Sequence, residues 1–133
     1  MKTEIIYVEL IDKFDHRGSA WIGFGHFSKS GRTVYFNDKV YARGRGISGN
    51  HVDIESGEEC WISGVKKNGE DRHKHGSGKI HLDKSVIEDY LKIIGETILP
   101  KNKFILIDLD NDPNKALSQE IENKKFIINS FDR

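Results

Sequence analysis

Cysteine, proline and methionine are nearly missing from this chain: one Cys, two Pro and one Met among 133 residues. With Cys60 alone, no disulfide closes within the chain and no multi-cysteine zinc site forms. That pattern suits a reducing cytoplasm. An excess of either charge sign is also missing, since 21 Lys and Arg stand against 21 Asp and Glu. Net charge therefore exerts no global pull toward nucleic acid or an anionic membrane, and any such attraction must come from local clustering. No run approaches the roughly 20 apolar residues of a transmembrane helix. The opening segment, Met1-Lys-Thr-Glu-Ile-Ile-Tyr-Val-Glu-Leu-Ile, is interrupted by Glu9 and lacks the long uncharged stretch and small-residue cleavage site of a signal peptide. It reads as a strand. No fixed-period repeat is visible.

What is present is enough for one core. Apolar residues make up 36% of the chain and aromatics 10%, which separates it from disordered sequences. The length is that of a single domain, long enough for one core but not two. Residues 1 to about 95 are expected to form that core, with about 100–133 as a C-terminal extension.

Most segments read as short strands punctuated by turn residues. Ile5 to Ile11 is rich in β-branched residues, and Ala20 to Ser28 follows. Lys29-Ser-Gly-Arg makes the turn into Thr33-Val-Tyr-Phe. Asn37-Asp38 links this directly to Lys39-Val-Tyr-Ala-Arg, the spacing of a tight hairpin. Gly44, Gly46 and Gly49 suggest a flexible loop before His51-Val-Asp-Ile, and Glu59 to Val65 completes the set. Strands at this spacing predict a mainly β fold with some α, either a small bent antiparallel sheet or an SH3- or OB-like barrel.

One helix is expected over residues 85–94. Ser85 and Glu88 match the capping box Ser-x-x-Glu. Val86, Ile87, Tyr90, Leu91 and Ile94 share a face at helical spacing, and Gly95 stands where a left-handed residue ends a helix. Beyond Pro100, Phe104 to Leu109 reads as a buried strand and Asp112-Pro113 as a cap followed by Pro at the first helical position. A short helix to about Ile121 and a strand over Phe126 to Phe131 would complete a β-α-β tail.

The basic stretch Lys66-Lys-Asn-Gly-Glu-Asp-Arg-His-Lys-His-Gly-Ser-Gly-Lys79 is the candidate functional surface. Its glycines let backbone N–H groups approach an anion, and Lys66, Lys67, Arg72, His73 and Lys79 are the candidate ligand-binding residues. The expected partner is a protein or an anionic ligand, with nucleic acid a weaker reading and no membrane. Gly76-Ser77-Gly78-Lys79 is not a nucleotide P-loop, because His73 and Ile80 replace the Gly and the Ser or Thr that the motif needs. Asp71, Arg72 and His73 are the candidate catalytic residues of a competing reading, a small hydrolase or nuclease. There a histidine of near-neutral pKa would move the proton and Arg72 would stabilise charge, with Glu70, Asp71 or another carboxylate as partner. His73, His75 and His81 with Asp71 are also a conceivable divalent-metal set, although neither a metal nor any cofactor is expected.

Two further motifs have bland explanations. Asp108-Leu-Asp110-Asn-Asp112 resembles the start of a calcium loop, but Pro113 and Gln119 occupy the places of its Gly and Glu. It is expected to solvate a strand end and cap a helix. Trp21-Ile-Gly-Phe-Gly-His-Phe resembles a piece of the cold-shock RNA-binding surface. Strand alternation places Phe24 and His26 on one face and Trp21 and Phe27 on the other, and core packing is the expected role.

The run Phe27-Ser-Lys-Ser-Gly-Arg-Thr-Val-Tyr-Phe-Asn, then Gly46-Ile-Ser-Gly-Asn, Gly57-Glu-Glu-Cys-Trp-Ile-Ser-Gly-Val-Lys-Lys-Asn-Gly-Glu-Asp-Arg-His and Gly76-Ser-Gly-Lys-Ile resembles a small bacterial family. Its members often carry the label 1-deoxy-D-xylulose-5-phosphate synthase. The likeness spans roughly residues 20 to 95 and supplies no catalytic residues to carry over. Lys74 and His75 stand where the family usually has an aromatic and a small residue. The label does not fit as an activity: such synthases are several times longer and hold thiamine diphosphate through Gly-Asp-Gly, which this chain lacks.

Overall fold

The computed structural model describes residues 1–11, 19–44, 49–72, 78–100 and 102–114. Six strands carry the barrel: β1 (Lys2–Leu10), β2 (Ala20–Phe27), β3 (Thr33–Phe36), β4 (Lys39–Arg43), β5 (His51–Asp53) and β6 (Glu59–Gly64). They pair antiparallel in the order β1-β6-β5-β4-β3-β2, and β2 pairs back onto β1, so the ring closes. Closure removes the open edges that an antiparallel sheet would otherwise leave. The barrel alternative is thus the one adopted.

The hairpin between β3 and β4 follows from its two linking residues. Asn37 and Asp38 have φ of 47° and 61°. These left-handed values at both central positions define the tight turn whose twist matches its strands, and Asn and Asp tolerate them best after Gly.

Alternation sorts the side chains into two cores. Ile6, Val8, Val34, Phe36, Tyr41, Cys60 and Ile62 form the inner one, with Trp21, Phe27 and Leu109 packed against it. Tyr7, Ala20 and Ile22, from the opposite faces of the same strands, join Ile80, Leu82, Val86 and Tyr90 in an outer core, where Phe24 also packs. The aromatics of the Trp21–Phe27 segment therefore split as alternation requires, and they serve packing.

The two glycines between them are required by shape. A Cβ on Gly25 would overlap the Ile6 side chain, and one on Gly23 would come within 2.7 Å of Leu109 Cδ1. Gly49 is fixed by packing, while residues 45–48 of the expected loop lie outside the described residues. A Cβ there would meet the backbone of Cys60, with its nitrogen and carbonyl carbon both 3.0 Å away. Beside it, Asn50 extends the pairing with its side chain, donating Nδ2–H to Ile62 O and accepting from Ile62 N, each at 2.8 Å.

The outer layer contains an element the sequence reading overlooked. The 66–79 loop does not lead directly into the helix but into β7 (Ile80–Asp83), which pairs parallel with β2. Four residues are too few to show a period. A 3-10 turn (Lys84–Val86) and helix α1 (Ile87–Ile94) follow. The expected capping box is not formed. Ser85 Oγ donates to Asp83 Oδ2 at 2.8 Å, and Asp83 Oδ1 accepts from Ser85 N at 3.2 Å. Asp83 is thus the cap, and the cap belongs to the 3-10 turn. Gly95 ends α1 in the left-handed region as expected, at φ 72°.

The chain then returns as β8 (Phe104–Ile107), parallel to β7; it is not the buried strand expected, because it is added at the edge of the sheet and Ile105 and Leu106 stay exposed. A parallel return needs a crossover, which α1 supplies. Asn111 Nδ2 donates to Asp83 Oδ2 at 2.9 Å, fastening the segment after β8 to the start of the helical crossover. Asn114 N donates to Asp112 Oδ1 at 3.0 Å, the cap expected of Asp112-Pro113. The helix to Ile121 and the strand over 126–131 lie outside the described residues. No described helix is long and apolar enough to cross a membrane.

Candidate functional site

The loop that begins at Lys66 is built around inward-pointing charge. Gly69 N donates to Lys66 O at 3.1 Å, and Glu70 N donates to Asn68 Oδ1 at 2.9 Å, so residues 66–70 curl into a turn. Asp71 closes it: its Oδ1 accepts from Lys66 N at 2.6 Å, and its Oδ2 lies 3.5 Å from the Tyr90 hydroxyl on α1. Asp71 is only 3% exposed. Burial pushes its carboxyl above the usual carboxylate range, against the lowering effect of the Lys66 N–H and Lys66 charge. The same burial and the neighbouring Asp71 raise the Tyr90 phenol, which keeps its proton.

Arg72 points to the barrel wall. Its Nη1 lies 3.3 Å from Oε1 of Glu9, a β1 carboxylate that is 3% exposed, and Tyr7 donates its hydroxyl to the same oxygen. Its Nη2 donates to Lys79 O at 3.3 Å. One guanidinium thus holds both the wall and the far end of the loop, a use for which its planar set of donors is suited. Glu9 was visible in the sequence only as an interruption of the first apolar run. Alternation assigns it to the outer face, and nothing local announces that this face is covered by a loop.

The remaining candidates divide sharply. Lys66, Lys67 and Lys79 are exposed. Glu70 is exposed too and reaches Lys103 at 3.4 Å. His73 and His75 lie outside the described residues. His81 is placed by packing, its ring stacked on Trp21 at 5.7 Å between centroids and its Nδ1 3.1 Å from Ala20 O. Among the described residues no group of three or more His, Cys, Asp or Glu is disposed to hold a metal ion. The Asp108–Asp112 carboxylates serve locally: Asp110 accepts from Asp112 N at 3.0 Å, and Asp108 reaches Lys84 at 3.7 Å on the surface.

Two buried groups outside the loop are chemically quiet. Burial and the nearby Asp53 charge push the Cys60 thiol up to about 12, so it stays protonated and is no nucleophile at neutral pH. His51 is held below its ordinary value by burial and by Arg43, and its Nδ1 lies 2.8 Å from Asn50 Oδ1. The resulting arrangement is a loop whose Asp71 and Arg72 face inward, while Glu70 and the described lysines stand exposed. No family model matches the chain, and no match was found among curated proteins or solved structures.

Proposed function

We propose that this protein is a small binding module that presents the 66–79 loop to an anionic partner. One observation carries the reading: Asp71 and Arg72 are spent on holding the loop, while Lys66, Lys67 and Lys79 remain exposed. A turn closed by its own carboxylate keeps these cations on a fixed base, which limits the ordering cost of binding. Clustered lysines on such a base attract a polyanion even where net charge is zero.

A hydrolase centred on His73 and Arg72 is less well supported. A catalytic carboxylate must reach substrate, and Asp71 is buried with its oxygens on Lys66 N and the Tyr90 hydroxyl, while Arg72 is held by the buried Glu9. The test is salt elution from heparin-agarose, a generic polyanion. Lys66→Glu/Lys67→Glu is expected to elute at clearly lower salt than Lys92→Glu, a reversal on the exposed face of α1. Equal elution of the single helix variant and the double loop variant would sink the proposal.

A further inference from the structure

The inner face of the barrel does not end at its apolar core. Alternation along β1 places Glu4 and Lys2 on the same side as Ile6 and Val8, one and two steps beyond the core toward the mouth of the barrel. Lys2 stands opposite Phe27 in the pairing with β2. The turn from Ser28 to Gly31 forms the facing wall. Between them lies an open cavity of about 800 Å³ lined by Met1, Lys2, Glu4, Phe27 and residues 28–31. That volume lies within the range of small-molecule sites, and barrel mouths are a recurring location for them.

The lining has a definite chemical character. Its floor is apolar, from Phe27, which packs below against the inner core, and from the exposed Met1 side chain. Its lining side chains sum to one positive charge, since Lys2 is paired with Glu4 at 2.9 Å and Lys29 has no carboxylate partner among the described residues. The two serine hydroxyls add donors. Ser28 Oγ accepts from Thr33 N at 3.1 Å and Ser30 Oγ accepts from Arg32 N at 3.3 Å, and the two oxygens lie 3.4 Å apart. If one hydroxyl donates to the other, the second still has its proton to offer. Ammonium and hydroxyl donors at the rim of an apolar floor are complementary to an anionic head on an apolar body.

We infer that the barrel mouth is a binding site for a small amphiphilic anion, its head at Lys29 and the serine hydroxyls and its apolar part on Phe27. The site uses no residue of the 66–79 loop, so it stands or falls separately from the function proposed above.

The experiment is a fluorescence titration of the full chain with 8-anilinonaphthalene-1-sulfonate, a ring system bearing one anionic group. Saturable binding at one site is expected, displaced by octanoate but not by inorganic phosphate. Lys29→Glu should weaken it about tenfold, as loss and reversal of a head-group contact would. Lys67→Glu and Leu106→Ser should leave it unchanged, with a thermal melt confirming that each variant folds. Displacement by phosphate alone, indifference to Lys29→Glu, or loss in Lys67→Glu would each overturn the inference. Loss in Leu106→Ser would do the same, assigning the dye instead to the β8 strand, where Ile105 and Leu106 are 43% and 46% exposed.

Discussion

The inside of the barrel and the outer wall beneath the 66–79 loop are both buried, yet they are held by different physics. Inside, the fit is steric. Gly25 leaves the space that Ile6 fills, Phe27 and Val34 close around it, and the lone thiol keeps its proton. On the outer wall, two buried carboxylates, a half-buried arginine and two tyrosine hydroxyls satisfy one another. A steric core tolerates apolar swaps of equal volume. A polar one fails when either partner is removed, because the survivor is a buried charge.

The largest effect is expected from removing one side of that polar wall. Arg72→Met should cost about 3 kcal/mol, since the buried Glu9 carboxylate would lose the guanidinium beside it. Adding Glu9→Gln should restore much of the loss, measured by urea denaturation at neutral pH. A double variant as unstable as the single would mean that packing by the arginine, rather than charge, is what matters. The steric side is broken next. Gly25→Ala should cost about 2 kcal/mol by overpacking against Ile6, and Gly25→Ala with Ile6→Val should recover part of it. Strict additivity of those two changes would remove the steric argument.

A smaller effect is expected from pH. The folded-state pKa of Asp71 is raised above its ordinary value of 3.8, so folding favours its protonated form. This contribution to stability is fully present below the unfolded pKa and is lost as pH rises through the folded one. Asp71→Asn has no such titration. The stability of the variant relative to the native chain should therefore climb with pH from about 4 toward neutrality. A difference that stays flat over that range would remove burial as the dominant influence on Asp71. The smallest effect should come from Lys67→Glu, within about 0.5 kcal/mol, because this exposed lysine belongs to neither wall.

How much of this was legible beforehand depends on range. The strands of the barrel could be read because β-branched and aromatic residues alternate between turn residues. The Asn37-Asp38 hairpin and the Gly95 helix end could be read because local φ preferences decide them. Ring closure of β2 onto β1 agrees with the barrel alternative, but the choice over an open sheet came from long-range pairing. The capping box was misread because Asp83, two residues before Ser85, accepts from both its hydroxyl and its N–H, and short-range competition between two acids has no sequence signature. β7 was missed because its four residues are held by β2 and β8 rather than by their own pattern. At the candidate site, Lys66, Lys67 and Lys79 stand where a basic loop would show them. The inward turn of Asp71 and Arg72 could not be foreseen, since Glu9 and Tyr90 lie far away in sequence.

The Arg72 link to the carbonyl of Lys79 bears on how the loop tolerates insertion. It ties Arg72, at one end of the connecting segment, to Lys79, immediately before β7. Lengthening a loop whose ends are already held costs little, about 0.6 kcal/mol for each doubling. Residues inserted ahead of Gly78, which stands at φ 92°, are therefore expected to cost little while β7 keeps its register on β2.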